Sequence, residues 1–470
     1  MDTHEFRRLG HQMVEWIASY RERMAELPVM SPLAPGAVKG QLPPAPPETG
    51  EGLEGILAEL DRVVLPGITH WCHPGFFAYF PANADLASVL ADMASSGLAA
   101  QAMSWQTSPA ATEVEEVVMD WLRQMLGLDS GFTGVIQDSA SVSTLCALLC
   151  ARERTGAFGQ NRGGLQAEAA PMVVYASDQA HSSVGKGTLL AGFGKENLRL
   201  IGTDDAHALR LDLLEAAIGA DLAAGRRPCA MVGVVGTTAT TALDPLRGMA
   251  ELAARHGMWL HVDAALAGSA MICPECRWMW DGVERADSLV LNPHKWLGTG
   301  FDLSAYFVRD PEHLIRVMST NPSYLRTEHD GEVKNLRDWG IPLGRRFRAL
   351  KLWFLIKDLG ISGLQARMRR DLEHAQWLMG QVDADPGWER LAPVPLQTIC
   401  LRHRPAGMAG EDELARHNLA IADRINKSGR FYLTPAVLKG MQMIRVSIGS
   451  AATRREDVEA LWEALRRAAQ

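Results

Sequence analysis

The chain has 470 residues, a formal net charge of −8 and 47% hydrophobic residues, which is apolar material for a large core and more than one ordinary domain. With 47 basic residues against 55 acidic ones there is no electropositive footprint for nucleic acid, and no block of Lys or Arg marks a membrane surface. No apolar run approaches the roughly 20 residues of a membrane span. The charged N-terminus MDTHEFRRLGHQMVEWIASY is unlike a signal peptide, and seven scattered cysteines suit reduced thiols in the cytoplasm.

From the N-terminus, Phe6, Leu9, Met13, Ile17, Tyr20 and Met24 recur at helical spacing, so residues 2–27 read as an amphipathic helix, with Asp2 and Glu5 placed like a capping box. Pro28, Pro32, Pro35, Pro43, Pro44, Pro46 and Pro47 then make an extended linker, and a second amphipathic helix is expected from Leu53 with Ile56, Leu57, Leu60 and Val64 on one side. Two helices and an arm cannot form a core alone, which predicts that they pack on a partner. The aromatic stretch HWCHPGFFAYFPA, residues 70–82, is broken by Pro74, Gly75 and Pro81 and reads as an ordered loop. SWQTSP then precedes a helix over 110–126.

Between residues 133 and 310 short apolar strands alternate with helices, the pattern of a largely parallel α/β sheet with helices on both faces. The predicted strands are 134–137, 172–176, 198–202, 230–235, 259–262, 288–291 and 305–308. No Gly-x-Gly-x-x-Gly opens a helix after the first strand, so a dinucleotide-binding fold lacks its phosphate loop. The polar stretch 319–331 reads as a lid. Gly344-Arg345-Arg346 is expected to open a long helix through Leu359. An α+β segment follows, with helices near 363–383, 411–428 and 454–468 and strands near 397–403 and 442–447.

Two strand ends carry chemistry. Ser288–Leu291 is stopped by Asn292-Pro293 and delivers His294-Lys295-Trp296, where apolar flanks desolvate the lysine and favour its nucleophilic free base. The strand at 259–262 ends in Asp263 followed by small residues; the pair suits a lysine for an aldehyde cofactor and a carboxylate for a pyridine nitrogen, although Asp263 on spacing alone also suits a helix cap. Ser139-Ala140-Ser141 places amides and hydroxyls at a helix N-terminus, an anion site or a plain serine cap. His181 and Thr238 lie at strand-end turns of the same layer. Cys273-Pro274-Glu275-Cys276 has no second ligand pair and reads as structural, so no metal is expected.

The text HVDAALAGSAMICPECRWMWDGVERADSLVLNPHKWLGTGFDLSAYFV, with HPGFFAYFPA, SWQTSPAATEVE, GVIQDSASVSTLCALLCARER, YASDQAHSSV, GTTATTALDPL, NPSYLRT and WGIPLGRRFRALKLWF, resembles the pyridoxal-phosphate-dependent aromatic-L-amino-acid decarboxylases, or group II decarboxylases, nearly end to end. It looks most like the bacterial members acting on dihydroxyphenylalanine and related aromatic amino acids. The resemblance implies a fold-type I enzyme in three parts: an N-terminal dimerisation segment (1–85), a large cofactor domain (86–345) and a small α+β domain (346–470). It implies a homodimer, pyridoxal 5'-phosphate, and decarboxylation through Lys295, with Asp263 on the pyridine nitrogen, His181 on the ring, and Ala140, Ser141, Thr238, Asn292 and His294 in the cofactor site. Tyr324, in the loop, matches a proton donor. Positions matching Trp71, Tyr79, Phe80, Pro81, Ala82 and Gly344 line the ring pocket, and those matching Gln101 and Met103 reach the other subunit's site. Ala82 replaces a hydroxyl residue of the animal enzymes and Cys72 also departs from the pattern. Gly344 stands where histidine decarboxylases usually have serine, which favours a larger ring. An aromatic aldehyde synthase on the same scaffold and a cofactor-binding regulatory module without catalysis are the alternatives.

Overall fold

The computed structural model describes residues 1–320, 329 and 331–470. Seven strands, β1 (Thr133–Gln137), β2 (Met172–Ser177), β3 (Leu198–Ile201), β4 (Arg227–Val234), β5 (Trp259–Asp263), β6 (Ser288–Leu291) and β7 (Ser304–Val308), form one sheet in the order β1-β7-β6-β5-β4-β2-β3. β2 to β6 pair in parallel, and β7 runs antiparallel to both β1 and β6. Every residue of β2, β5, β6 and β7 is buried, because a sheet covered on both faces has no polar side to alternate with. That burial is why these strands read as continuous apolar runs, and all seven match the predicted ones within a few residues.

The helices are α1 (Thr3–Arg23), α2 (Ile56–Glu59), α3 (Leu86–Gly97), α4 (Pro109–Leu126), α5 (Ala140–Thr155), α6 (Ser182–Leu190), α7 (Leu211–Ala223), α8 (Leu246–His256), α9 (Pro311–Met318), α10 (Ala349–Ala384), α11 (Glu411–Lys427) and α12 (Arg455–Ala469). A second sheet has the order β10-β11-β9-β8, from β8 (Trp388–Arg390), β9 (Thr398–His403), β10 (Thr434–Leu438) and β11 (Met441–Ser447). Pro435 places β10 at an edge, where a missing N–H costs nothing.

Contacts divide the chain into two units, one of residues 1–81, 381–389 and 401–470, the other of residues 82–380 and 390–400. The large sheet lies wholly in the second. In the first, Asp2 caps α1 by accepting from the amides of His4 and Glu5 at 2.9 and 2.8 Å, yet no residue of α1 is buried, and Phe6 and Val14 stay 67% and 44% exposed. The expected second helix starts at Ile56, after Gly52 and Gly55 at positive φ: α2 is its first turn, Leu60–Val64 continue it as a π turn, and Leu65–Gly67, with Pro66, close it as a 3-10 turn.

Gly344–Arg346 does not open a helix. The Arg345 N–H donates to Gln101 Oε1 at 2.7 Å and its carbonyl accepts from the Ala102 amide at 2.9 Å, so this backbone is committed to another segment and α10 begins only at Ala349. α10 then breaks at Gly360, whose φ of 61° suits glycine, and resumes. Four elements were not among the expected ones: α3, α9, three-residue β8, and β10 with its proline.

Arg345 is buried against Glu115 on α4 at 2.9 Å, and both groups also bond β1, Arg345 to the Ile136 carbonyl at 2.5 Å and Glu115 from the Ile136 amide at 2.9 Å. Removing one member leaves a buried uncompensated charge. Glu115→Ala is therefore expected to cost about 3–5 kcal/mol of stability. Denaturant unfolding beside Glu115→Gln checks it, and a change under 1 kcal/mol would contradict the burial argument.

Candidate active site

The C-terminal ends of β1, β2, β4, β5 and β6 all open on the same edge of the large sheet, where open α/β folds collect ligands. Asp263 is the last residue of β5, 5% exposed, and its Oδ1 accepts from the Ala265 amide at 3.0 Å. In register with the next strand it pairs with Val290. Beyond β6, Pro293 to Leu297 form a single π-helical turn, closed where the Gly298 N–H donates to the Pro293 carbonyl at 2.9 Å. Lys295 sits on this turn, partly buried, one step past the strand end predicted for it.

Three histidines surround these groups, and each is held below its ordinary value chiefly by burial. His181 caps α6: its Nδ1 accepts from the Ser183 amide at 3.1 Å, which leaves the proton of the neutral ring on Nε2. Desolvation lowers its pKa, Asp263 pulls it back up and Lys295 pushes it down, so His181 lies within electrostatic reach of both. His261, on β5 two residues before Asp263, is completely buried with Nδ1 2.9 Å from Ser288 Oγ, and falls to about 4. His294 also falls to about 4, from burial and then the neighbouring Lys295 charge; the Leu303 N–H donates to its Nδ1 at 2.9 Å.

Asn292 is buried, and its Oδ1 accepts from the Ser304 hydroxyl at 2.6 Å, leaving Nδ2 as the donor for another acceptor. α5 begins with Ala140 and Ser141, N-capped by Ser139, whose Oγ accepts from the Val142 amide at 3.4 Å. Ser141 and Thr238 are exposed, whereas Thr237 is buried and bound within its own turn to Thr240 and Ala242. The edge thus presents an amine, a carboxylate, a neutral imidazole and a helix N-terminus able to take an anion.

The expected pocket residues fall in both units. In the first, Trp71 stacks on Tyr79 at 5.6 Å, Tyr79 meets Tyr432 edge-on, and Phe80 lies 4.4 Å under the Arg445 guanidinium; Pro81 is buried. In the second, Ala82 is partly buried, and Gly344 lies beside Gln101. Besides the Gln101 bond to Arg345, Met103 O accepts from the Arg337 amide at 2.7 Å, and a Cβ on Gly344 would stand 3.3 Å from Gln101 Nε2. Tyr324 lies outside the described residues. Cys273 and Cys276 are buried in a 3-10 turn, and among the described residues no group of three or more His, Cys, Asp or Glu could hold a metal ion. No periodicity announced Asn83, whose Nδ2 donates to the Lys295 carbonyl at 3.2 Å, or Asp371, which accepts the Trp296 indole N–H at 2.8 Å.

An α/β sheet with lysine, acid, imidazole and an anion-binding helix end on one edge defines a pyridoxal phosphate enzyme of fold type I. Residues 35–404 match the family described as the pyridoxal-dependent decarboxylase conserved domain. The chain belongs to that family, and its cofactor is pyridoxal 5'-phosphate, whose aldehyde, ring and phosphate the amine, the carboxylate with the imidazole, and the helix end fit in kind. The chain is 40% identical to tyrosine decarboxylase 4 of Petroselinum crispum, covering 99% of this chain and 93% of that protein. It is 39% identical to phenylacetaldehyde synthase of Arabidopsis thaliana, covering 98% and 95%. Oryza sativa TDC, solved with PLP and tryptamine, superposes with a TM-score of 0.97 at 36% identity, covering 100% of this chain and 98% of that one. These relatives are plant enzymes, so the expected special likeness to bacterial decarboxylases is not supported.

The buried imidazoles set an acid limit. An unfolded histidine takes up its proton near 6.5, whereas His261 and His294 resist until about 4, so between those values the unfolded chain binds more protons and gains. Their stabilisation is complete above the ordinary imidazole value and is lost as pH falls through 4. Stability should drop across that window by on the order of 1 kcal/mol per pH unit for each histidine. Unfolding titrations at a series of pH values, with His261→Gln giving a shallower slope, test this; an unchanged slope in the variant would refute it.

Proposed function

We propose that the protein decarboxylates aromatic L-amino acids to the amine and CO2, with L-dihydroxyphenylalanine preferred and tyrosine, phenylalanine, tryptophan and 5-hydroxytryptophan as further candidates. The observation that carries this reading is the meeting of Lys295, Asp263 and His181 at one sheet edge. Bound pyridoxal phosphate supplies an electron sink for the bond that breaks. Lys295 Nζ is the amine that would hold the cofactor through its aldehyde. Asp263 keeps a proton at the pyridine nitrogen. Neutral His181 would pack against the cofactor ring and orient it, with Nε2–H free to donate toward the substrate. The amides of Ala140 and Ser141, with Thr238 and Asn292 Nδ2, bind the phosphate, and His294 packs beside the lysine. Trp71, Tyr79, Phe80, Pro81, Ala82 and Gly344 hold the substrate ring, and Gln101 and Met103 complete a partner subunit's site. Tyr324 gives a proton to the α-carbon after CO2 leaves.

The 39% identity to a phenylacetaldehyde synthase supports a second outcome, oxidative deamination after decarboxylation. One experiment addresses both. Borohydride treatment of the yellow holoenzyme should fix the cofactor to Lys295, and turnover under air should give amine and CO2 in equal amounts. Label on another lysine sinks the site assignment. Aldehyde, ammonia and peroxide in place of amine favour the synthase, and Asp263→Ala should lose activity by roughly 10² or more as the sink fails.

We further propose a cytoplasmic homodimer. Among the described residues no helix is long and apolar enough to cross a membrane, and Phe6 and Val14 of α1 stay 67% and 44% exposed on this chain. Deleting residues 1–64 should leave an apolar patch and give aggregates or inactive monomer by light scattering. A stable, fully active monomer would overturn the dimer.

A further inference from the structure

The turn that carries Lys295 contributes few of the bonds that hold it. Within itself it closes through the Lys295 N–H to the Asn292 carbonyl and the Gly298 N–H to the Pro293 carbonyl, both at 2.9 Å. Its remaining polar groups are taken from outside. Arg367, on the second half of α10, donates through Nη1 to the Leu297 carbonyl at 3.1 Å. The same guanidinium forms a two-pronged pair with Asp85 at 2.7 and 2.9 Å, and the Asp85 amide donates to the Gly298 carbonyl at 3.0 Å. Asp371, fully buried, accepts the indole N–H of Trp296, the residue after the lysine.

Arg367 and Asp371 are four residues apart on α10 and so share a face, and that face lies on the lysine turn. Gly298 shows how close the fit is. Its φ is 115°, and a Cβ there would come 2.2 Å from Asp85 Oδ2 and 2.3 Å from Arg367 Nη1, so the ion pair closes directly over the glycine. A bidentate arginine fixes direction as well as distance, which a lysine or a single hydrogen bond does not. A charge as buried as Asp371 is costly unless it is paired, and Arg370 Nη2 stands 2.8 Å away.

We infer that Arg367, Asp85 and Asp371 are positioning residues for Lys295: they hold the backbone from which the amine projects, so that its nitrogen meets the cofactor aldehyde at one distance and angle. The inference rests on the proposal that Lys295 holds the cofactor. An error of about 1 Å in such a placement costs as much as 10²-fold in rate, which is why three charged groups on one turn matter beyond packing.

The test uses holoenzyme carrying Arg367→Met, Arg367→Lys or Trp296→Phe, with Arg199→Met as a control that breaks a different ion pair, to Asp221 beside edge strand β3. The readouts are the rate of cofactor loss, the pH midpoint of the visible band of lysine-bound cofactor, and the melting temperature of the cofactor-free chain. Arg367→Met and Trp296→Phe should speed cofactor loss roughly 10- to 100-fold and move the pH midpoint, with Arg367→Lys recovering part of both. Arg199→Met should lower melting and leave the midpoint in place. Variants that melt lower yet keep the wild-type midpoint and cofactor retention overturn the inference. If Arg367→Met does not fold, Trp296→Phe decides, since it keeps an aromatic ring and removes the N–H. Wild-type protein without label at Lys295 refutes the functional reading and takes this inference with it; wild-type labelling with unchanged variants refutes the inference alone.

Discussion

The parallel pairing of β5 with β6 is the constraint on which the site depends. It sets Asp263 opposite Val290, and the ladder runs on past both strands, the Ala264 amide to the Val290 carbonyl and the Asn292 amide to the Ala265 carbonyl, each at 2.9 Å. The acid and the lysine turn therefore leave adjacent strands on the same edge, at a separation set by backbone geometry rather than by flexible side chains. A slip of one residue would turn Asp263 to the other face of the sheet and carry His261 with it. The buried apolar residues on both faces make that slip expensive, and so the stability of the core and the geometry of the site have one origin.

The same burial determines the charges. His181, His261 and His294 are each lowered mainly by desolvation, so near neutral pH none of them competes as a cation for Asp263. Asp263 raises the two nearest it, and burial outweighs that pull. For His294 the bond from the Leu303 amide adds a geometric reason, because Nδ1 cannot both accept that bond and carry a proton.

What the sequence made legible were features whose cause is local. Strands buried on both faces show as apolar runs, Asn292-Pro293 shows as a stop, and Asp2 shows as a cap. Ala140 and Ser141 were readable because a helix end announces itself by its small and hydroxylic residues. The Gly344–Arg346 segment misled for the opposite reason. Its residues tolerate a helix, and what prevents one is Gln101 and Ala102 taking the backbone bonds of Arg345 across 244 residues. The Asp85–Arg367 pair spans 282 residues, and neither member stands in a pattern that marks it. Gly298 was visible as a glycine, but its reason, the close passage of that ion pair, exists only in three dimensions.

The ring cluster of Trp71, Tyr79 and Phe80 bears on how a substrate would be chosen. Tyr79 holds a φ of 46°, a strained value for a tyrosine, fixed by its amide on Thr434 Oγ1 at 2.8 Å and by Arg445 on its carbonyl. The ring is half exposed beside Trp71. The hydroxyls of Tyr79 and Tyr432 face each other at 3.2 Å, and burial together with that bond pushes Tyr432 up to about 12, so the Tyr432 proton stays in place and is spent within the pair. If this surface takes the substrate ring, as proposed, it does so by shape and stacking more than by hydrogen bonds. Apolar fit of that kind separates related rings by only about 1–3 kcal/mol, whereas buried polar partners reject a ring lacking the matching hydroxyl far more strongly.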